Sequence, residues 1–172
     1  GSDPAMAALT PAGAPVVLLG EGLERADVAL SERGLSLTWR AAPVGGPPGG
    51  EAMTQVEAVW RGVADRPWSP CHLRRDDQPG GDILFRWIRR ARLGGDGLDG
   101  EPPLSEEREA YRLEIMDGAA AVRTVERDVP AFLWTSAMQT SDFPGGVPGA
   151  VTIRVAQLSA VFGAGATTAR SL

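Results

Sequence analysis

The chain has 172 residues, of which 43% are hydrophobic and 23% charged, a balance typical of a globular protein and not of a disordered one. Its net charge is -5 and its arginines are scattered among acidic residues, which argues against nucleic acid as a partner, because nucleic-acid-binding proteins concentrate positive charge on one face. No run of residues approaches the ~20 apolar positions of a membrane-spanning helix, so we expect no membrane insertion.

The first six residues, Gly1–Met6, resemble the remnant of a cleaved expression tag, and we leave them out of the fold argument. The single cysteine, Cys71, excludes an internal disulfide framework and any zinc site built from several cysteines. The cysteine content is therefore compatible with synthesis in a reducing cytoplasm.

Two strand-like runs near the middle of the chain, residues 82–90 and 111–118, predict the core of a β-sandwich. In each run the large apolar residues fall on alternate positions, so each strand can turn one apolar face toward a common core. The apolar positions are Ile83, Phe85 and Trp87 in the first run and Tyr111, Leu113 and Ile115 in the second.

Clusters of glycine and proline separate short segments of alternating polarity along the whole chain, a pattern typical of all-β proteins. The prolines of Arg66–Pro70 predict an interdomain joint, with Trp68 filling it. The joint would separate a small β-rich domain or partial domain at 7–66 from a larger domain at 67–172. Seven strands in about a hundred residues is the count of an immunoglobulin-like sandwich. The predicted strands are 16–19, 35–40, 54–61, 71–75, 82–92, 110–116, 121–127, 131–137, 150–158 and 167–171.

The order of these features resembles a fibronectin type III domain. Trp87 matches the core tryptophan of that family on the second strand, and Tyr111 matches its third-strand aromatic residue. The run 151–155 is similar to the penultimate strand, without its usual early tyrosine, and a turn at Gly163 and Gly165 follows. The resemblance implies an all-β fold, a fibronectin type III-like (immunoglobulin-like) β-sandwich preceded by a smaller β-rich domain.

A closer resemblance covers much of the chain from about Arg66 onward. The sequence is similar there to the C-terminal region of the large tail-tip protein of gene transfer agents, phage-like particles encoded in alphaproteobacterial chromosomes. That protein is related to phage host-specificity and baseplate hub proteins. The phrases that carry the likeness are Arg66–Pro70, Gly81–Arg90, Gly95–Glu101 with Pro103 and Leu104, and Val155–Ser159.

This second resemblance implies a chain that is made in the bacterial cytoplasm and carried at the tail tip of a phage-like particle. Other tail or baseplate proteins would be its partners, and a host cell-surface glycan or receptor is a further candidate. In that family a barrel related to glycoside hydrolases lies upstream in a much longer chain, so its hydrolase label does not transfer to these residues.

Cys71 and His72 are adjacent, and a cysteine-histidine pair is the sharpest enzymatic reading of this sequence. On a regular strand neighbouring side chains point to opposite faces, so the thiol and the imidazole would not share a hydrogen bond. His72 is also the one histidine of the chain, too few for a catalytic zinc site. We therefore predict structural roles for both residues.

An acidic run between the two central strands is a second candidate site. It could hold calcium or act as paired carboxylates, but its spacing lacks the alternating oxygen ligands and the closing glutamate of an EF-hand loop. We expect a solvated loop, with no metal and no cofactor. The run comprises Asp96, Asp99, Glu101, Glu106, Glu107 and Glu109.

Trp134 is the one candidate for ligand binding. It shares a parity with Phe132 and not with Leu133, so one large apolar side chain of this segment could remain at the surface. An exposed tryptophan could stack on a sugar or enter a protein interface, although core packing is the favoured prediction.

Because the sequence contains no catalytic constellation, we expect a non-catalytic module that acts in tail-tip assembly or in contact with the host surface. The alternative is a carbohydrate-binding module that recognises host polysaccharide through an aromatic platform.

Overall fold

The structure is a computed structural model that describes residues 12–14, 16, 18, 20, 24, 26–45, 49, 53–95 and 100–172. The chain divides into two compact units, Thr10–Val63 and a larger one that takes in Ala64–Leu172. The division falls three residues before the boundary at 66/67 that the prolines predict.

The described residues form nine strands and one α-helix, with short 3-10 turns at Leu30–Glu32 and Val63–Asp65. The helices in this part of the chain are too short to span a bilayer. The elements are β1 (Ser36–Ala41), β2 (Thr54–Val59), β3 (Cys71–Asp77), β4 (Ile83–Ile88), β5 (Tyr111–Asp117), β6 (Ala120–Arg127), β7 (Ala131–Trp134), α1 (Ser136–Asp142), β8 (Thr152–Ser159) and β9 (Gly163–Ser171).

In the smaller unit β1 and β2 form an antiparallel two-stranded sheet. The register places Trp39 opposite Val56 and Leu37 opposite Ala58, so the two apolar rows of the sequence lie on one face. Both strands fall within two residues of the predicted ranges, whereas the strand predicted at 16–19 lies partly outside the described residues.

The larger unit contains two antiparallel sheets. One has the strand order β3-β4-β7 and the other the order β6-β5-β8-β9. With the strands lettered along the chain, these are the A-B-E and C′-C-F-G sheets of a fibronectin type III domain. The predicted fold class is therefore confirmed.

The core between the two sheets is built from the alternating apolar residues of the two central strands, as the sequence predicts. The six predicted core residues of β4 and β5 are each at most 4% exposed. Trp87 and Tyr111 meet across the sandwich edge to face, with ring centroids 5.4 Å apart. This geometry is the one that aromatic pairs prefer.

The segment before β3 runs along the outer edge of β9. The backbone N–H of Ala166 donates to the Pro67 carbonyl at 3.2 Å, and the Thr168 hydroxyl donates to the Pro70 carbonyl. Both prolines are fully buried. The segment therefore covers part of an edge strand whose backbone groups would otherwise be open to pairing with another chain. Trp68 is 45% exposed, and its predicted place in the joint between the domains stays a prediction.

Three predicted strands miss the observed bounds by three residues or more, since the strand predicted at 82–92 ends at Ile88 and the strand predicted at 167–171 begins at Gly163. The strand predicted at 131–137 ends at Trp134, and α1 follows, because the Thr135 hydroxyl accepts a hydrogen bond from the backbone N–H of Met138 and caps the helix. The predicted turn at Gly163 and Gly165 is also wrong, because both glycines lie within β9. The turn comes just before them, at residues 160–162.

Cys71 and His72 lie at a β-bulge, because the register between β3 and β4 shifts between Cys71 and Arg74. His72 has a φ of 52°, in the left-handed region that the extra residue of such a bulge adopts. The simple alternation that the sequence argument assumed is therefore broken here. Cys71 is half-buried and His72 is exposed.

Candidate functional site

The long loop between β4 and β5, residues 89–110, is held by its own side chains at its described positions, 89–95 and 100–110. Ser105 accepts hydrogen bonds from the backbone N–H groups of Arg92 and Leu93, both at 3.1 Å. Its hydroxyl also lies 3.3 Å from the Leu93 carbonyl, to which it can donate. Connections this long are uncommon in compact domains and are often functional segments.

Arg89 joins the two ends of this loop. Its side chain is 12% exposed, and its Nη1 donates to Glu101 at 2.9 Å and to Glu109 at 3.2 Å. Its Nε donates to the Pro102 carbonyl at 2.6 Å. Glu109 also accepts from the Tyr111 hydroxyl at 2.7 Å. Burial, and then this carboxylate, raise the pKa of Tyr111, so the hydroxyl stays protonated and acts as a donor.

Glu106 is the most buried of the described carboxylates in this loop. Its side chain is 2% exposed, with Oε1 at 3.4 Å from the Nε of Arg92 and no hydrogen-bond partner for Oε2. Burial raises the pKa of Glu106 above its ordinary value, and the nearby Arg92 offsets part of that rise. Folding therefore shifts the protonation equilibrium of this side chain toward its neutral form.

Glu107 lies in the opposite situation. It is exposed and accepts hydrogen bonds from the Ser159 hydroxyl at 3.1 and 3.2 Å and from the backbone N–H of Ala160 at 3.1 Å. The pKa of Glu107 is lowered, first by its own backbone N–H and then by these donors. The residue ties the long loop to the turn between β8 and β9.

The acidic run does not converge on one point. Glu101 and Glu109 bind Arg89, whereas Glu106 and Glu107 contact different groups nearer the β8–β9 turn. Asp96 and Asp99 lie outside the described residues. Among the residues that are described, no three His, Cys, Asp or Glu side chains form a group that could hold a metal ion. The arrangement fastens the loop to the strands.

Replacing Glu106 with glutamine is expected to raise the free energy of unfolding at pH 7 and to change it little at pH 4. The folded pKa of Glu106 is raised, so its favourable contribution is complete below the unfolded pKa and is lost as pH rises through the folded pKa. A neutral amide of the same shape removes that loss. Urea unfolding at pH 4 and pH 7 measures both values.

Glu107→Gln is the matched control, because its expected effect has the opposite sign. The lowered pKa of Glu107 stabilises the fold above the unfolded pKa, and this contribution is lost as pH falls through the folded pKa. The variant should lose stability at pH 7 and match the parent at the lowest pH. Equal changes in both variants would contradict the assignment of the two environments.

The outer surface of the three-stranded sheet carries apolar side chains that face away from the core. We call this surface the three-strand face. The strand register arranges its residues in three rows. The first row is Asp76, Leu84 and Leu133, the second is Arg74, Arg86 and Ala131, and the third is Cys71 and Ile88. Leu133 is 44% exposed and Ile88 45%.

The outer surface of the four-stranded sheet is different in kind. Arg112 donates to Glu126 at 2.9 Å, and Arg154 lies 3.3 Å from Glu114. These pairs join neighbouring strands and cover the surface with matched charge, as cross-strand ion pairs do on solvated sheets. Of these two described sheet surfaces, the three-strand face is therefore the one that combines exposed leucine and isoleucine with arginine.

Trp134 is fully buried, so the favoured prediction of core packing is confirmed and the alternative of a stacking platform at this residue is wrong. The register of β7 with β4 places Trp134 opposite Ile83 on the core side, and its ring lies 6.0 Å from that of Phe85. The surface residue of this segment is Leu133. Sequence parity separates these side chains but does not say which of them faces the core.

Asp142, at the end of α1, holds Trp134 in place. Its carboxylate accepts from the indole N–H at 2.8 Å and from Nε and Nη2 of Arg123 at 2.6 and 2.9 Å. The Asp142 side chain is 5% exposed. A carboxylate on a short helix thus links β7 of one sheet to β6 of the other, a role that no sequence motif indicates.

Trp68 is an exposed aromatic residue that lies next to the charged group of Arg90. The guanidinium carbon of Arg90 lies 4.9 Å from the centre of its ring, within the range of a cation-π contact. The pair covers the surface beside the buried prolines.

No protein-family model and no curated protein sequence matches the chain. Among solved structures, the chain is similar to domains d3-d4 of the rat CD45 extracellular region. The two are 11% identical with a TM-score of 0.42, over 96% of this chain and 77% of that one. The fold assignment of the larger unit rests on its strand order.

Proposed function

We propose that this chain is a non-catalytic structural and recognition module of a phage-like tail-tip protein of the gene transfer agent type. Its work would be particle assembly or contact with the host surface. The phrases at Arg66–Pro70, Gly81–Arg90 and Val155–Ser159 support the tail-tip setting. The three-strand face supports the assembly role.

The three-strand face is the observation on which the assembly role depends. Leu84 and Leu133 lie side by side on it, Ile88 lies four residues further along β4, and Val129, just before β7, is 45% exposed. Apolar side chains grouped on one surface of a soluble domain commonly mark a protein contact, whereas scattered ones do not. The ion-paired surface of the other sheet shows that this fold does not require such a group.

The alternative of a carbohydrate-binding module depended on an exposed Trp134. Since that side chain is buried, the alternative has lost the residue on which it was based. The long loop between β4 and β5 and the β8–β9 turn remain available for contact with a host receptor, because loops on a rigid scaffold commonly carry recognition.

The test is particle assembly by a tail-tip protein that carries Leu84→Ser and Leu133→Ser together. We expect a loss of at least about tenfold in the yield of complete particles, since the two serines remove most of the apolar contact of one row. Electron microscopy and gene-transfer titre measure it. Arg112→Ala with Glu126→Ala, on the opposite sheet, is the control and should leave the titre unchanged. Normal assembly by the leucine variant, or hydrolysis of peptidoglycan by the purified chain, would contradict the proposal.

A further inference from the structure

The middle row of the three-strand face has an excess of positive charge. Arg74 and Arg86 are directly opposite each other on β3 and β4. Like charges in that position destabilise a sheet. Asp76 lies 3.4 Å from Arg86, and among the described residues no carboxylate pairs with Arg74. One charge of the pair is therefore left without a counterion from the structured part of the chain.

Apolar side chains lie on both sides of this arginine row. Leu84 and Leu133 form the row on one side, and Ile88 with Cys71 forms the row on the other. Successive rows are two residues apart along β4, a separation of about 6.6 Å. A surface that matches this pattern presents an apolar group, a carboxylate and a second apolar group at the same spacing.

We propose that the three-strand face binds an acidic protein segment whose carboxylate lies between two apolar side chains. The carboxylate would pair with Arg74 and remove the repulsion between the two arginines, and the apolar groups would cover the leucines and the isoleucine. This inference rests on the proposed assembly role and adds the chemistry of the partner. A second copy of the three-strand face laid row on row does not meet this requirement, because it would bring arginine to arginine.

Capped pentapeptides test the pattern, because alternate residues of an extended peptide point to one side at the spacing of the rows. The probe is Leu-Ser-Glu-Ser-Leu, and the controls are Leu-Ser-Lys-Ser-Leu and Ser-Ser-Glu-Ser-Ser. Titration into the 15N-labelled chain should move the amide resonances of β3, β4 and β7. We expect half-saturation by the glutamate peptide at a concentration about five- to tenfold lower than by either control.

Arg74→Glu is the decisive variant, since Arg74 is exposed on an edge strand and its replacement leaves the core intact. It should reverse the preference, so that the lysine peptide binds more tightly than the glutamate peptide. Equal shifts with both peptides, shifts centred elsewhere, or no shifts at all would overturn the acidic partner. If the peptides do not bind as expected but the leucine variant fails to assemble, the acidic partner is wrong and the proposed function stands. Normal assembly by the leucine variant counts against the proposed function alone.

Discussion

Replacing Gly165 with alanine is expected to lower the free energy of unfolding of the larger unit by about 2–3 kcal/mol. A Cβ at this position would lie 2.2 Å from the Pro67 carbonyl oxygen and 2.8 Å from the Pro67 carbonyl carbon. These are backbone atoms of a buried proline, so relief requires the covering segment to move away from β9. That movement also breaks the hydrogen bond from Ala166 to Pro67.

Gly145→Ala is the control for this experiment. A Cβ at Gly145 meets nothing within 4 Å, and its φ is not positive. We expect its stability to stay within about 0.5 kcal/mol of the parent, as at most surface sites. Guanidinium unfolding followed by far-UV circular dichroism measures both variants. A similar loss of stability in both variants would mean that the close approach of β9 to Pro67 is not the cause of the loss.

The sandwich class could be predicted from sequence because its signal is local. The side chains of β4 and β5 alternate with period two, so the core positions follow from each strand alone. Trp87 and Tyr111 also match aromatic positions of a fibronectin type III domain, so the resemblance agrees with the alternation. The strand order then places the two strands in different sheets, with their apolar faces toward one another.

The candidate surfaces could not be predicted because they depend on register between distant strands. Leu84 and Leu133 are forty-nine positions apart in the sequence, and they are neighbours only because β4 pairs with β7. Arg74 opposes Arg86 only because a bulge at His72 shifts the register of β3 by one residue. The same dependence explains why parity alone did not place Trp134, whose side of the sheet is set by its pairing with Ile83.

The acidic run between β4 and β5 shows a second limit of prediction from sequence. Sequence spacing separates an EF-hand from other acidic runs, but it does not say which carboxylates meet an arginine. Glu106 is buried and Glu107 exposed although they are adjacent, because the loop closes over Arg92 on one side and the β8–β9 turn on the other. Their pKa values consequently move in opposite directions.

Asp142→Ala is expected to lower the free energy of unfolding by about 2–4 kcal/mol, because it leaves the Arg123 guanidinium and the Trp134 indole N–H without their acceptor. Near-UV circular dichroism should report the freed indole, and chemical denaturation the loss. Glu126→Ala removes the acceptor of Arg112 from an exposed pair and should cost at most about 1 kcal/mol.

If the bridge between the sheets is real, Arg123→Ala combined with Asp142→Ala will cost less than the sum of the two single changes, because the arginine is no longer left unpaired. Strict additivity would mean that the two side chains act independently.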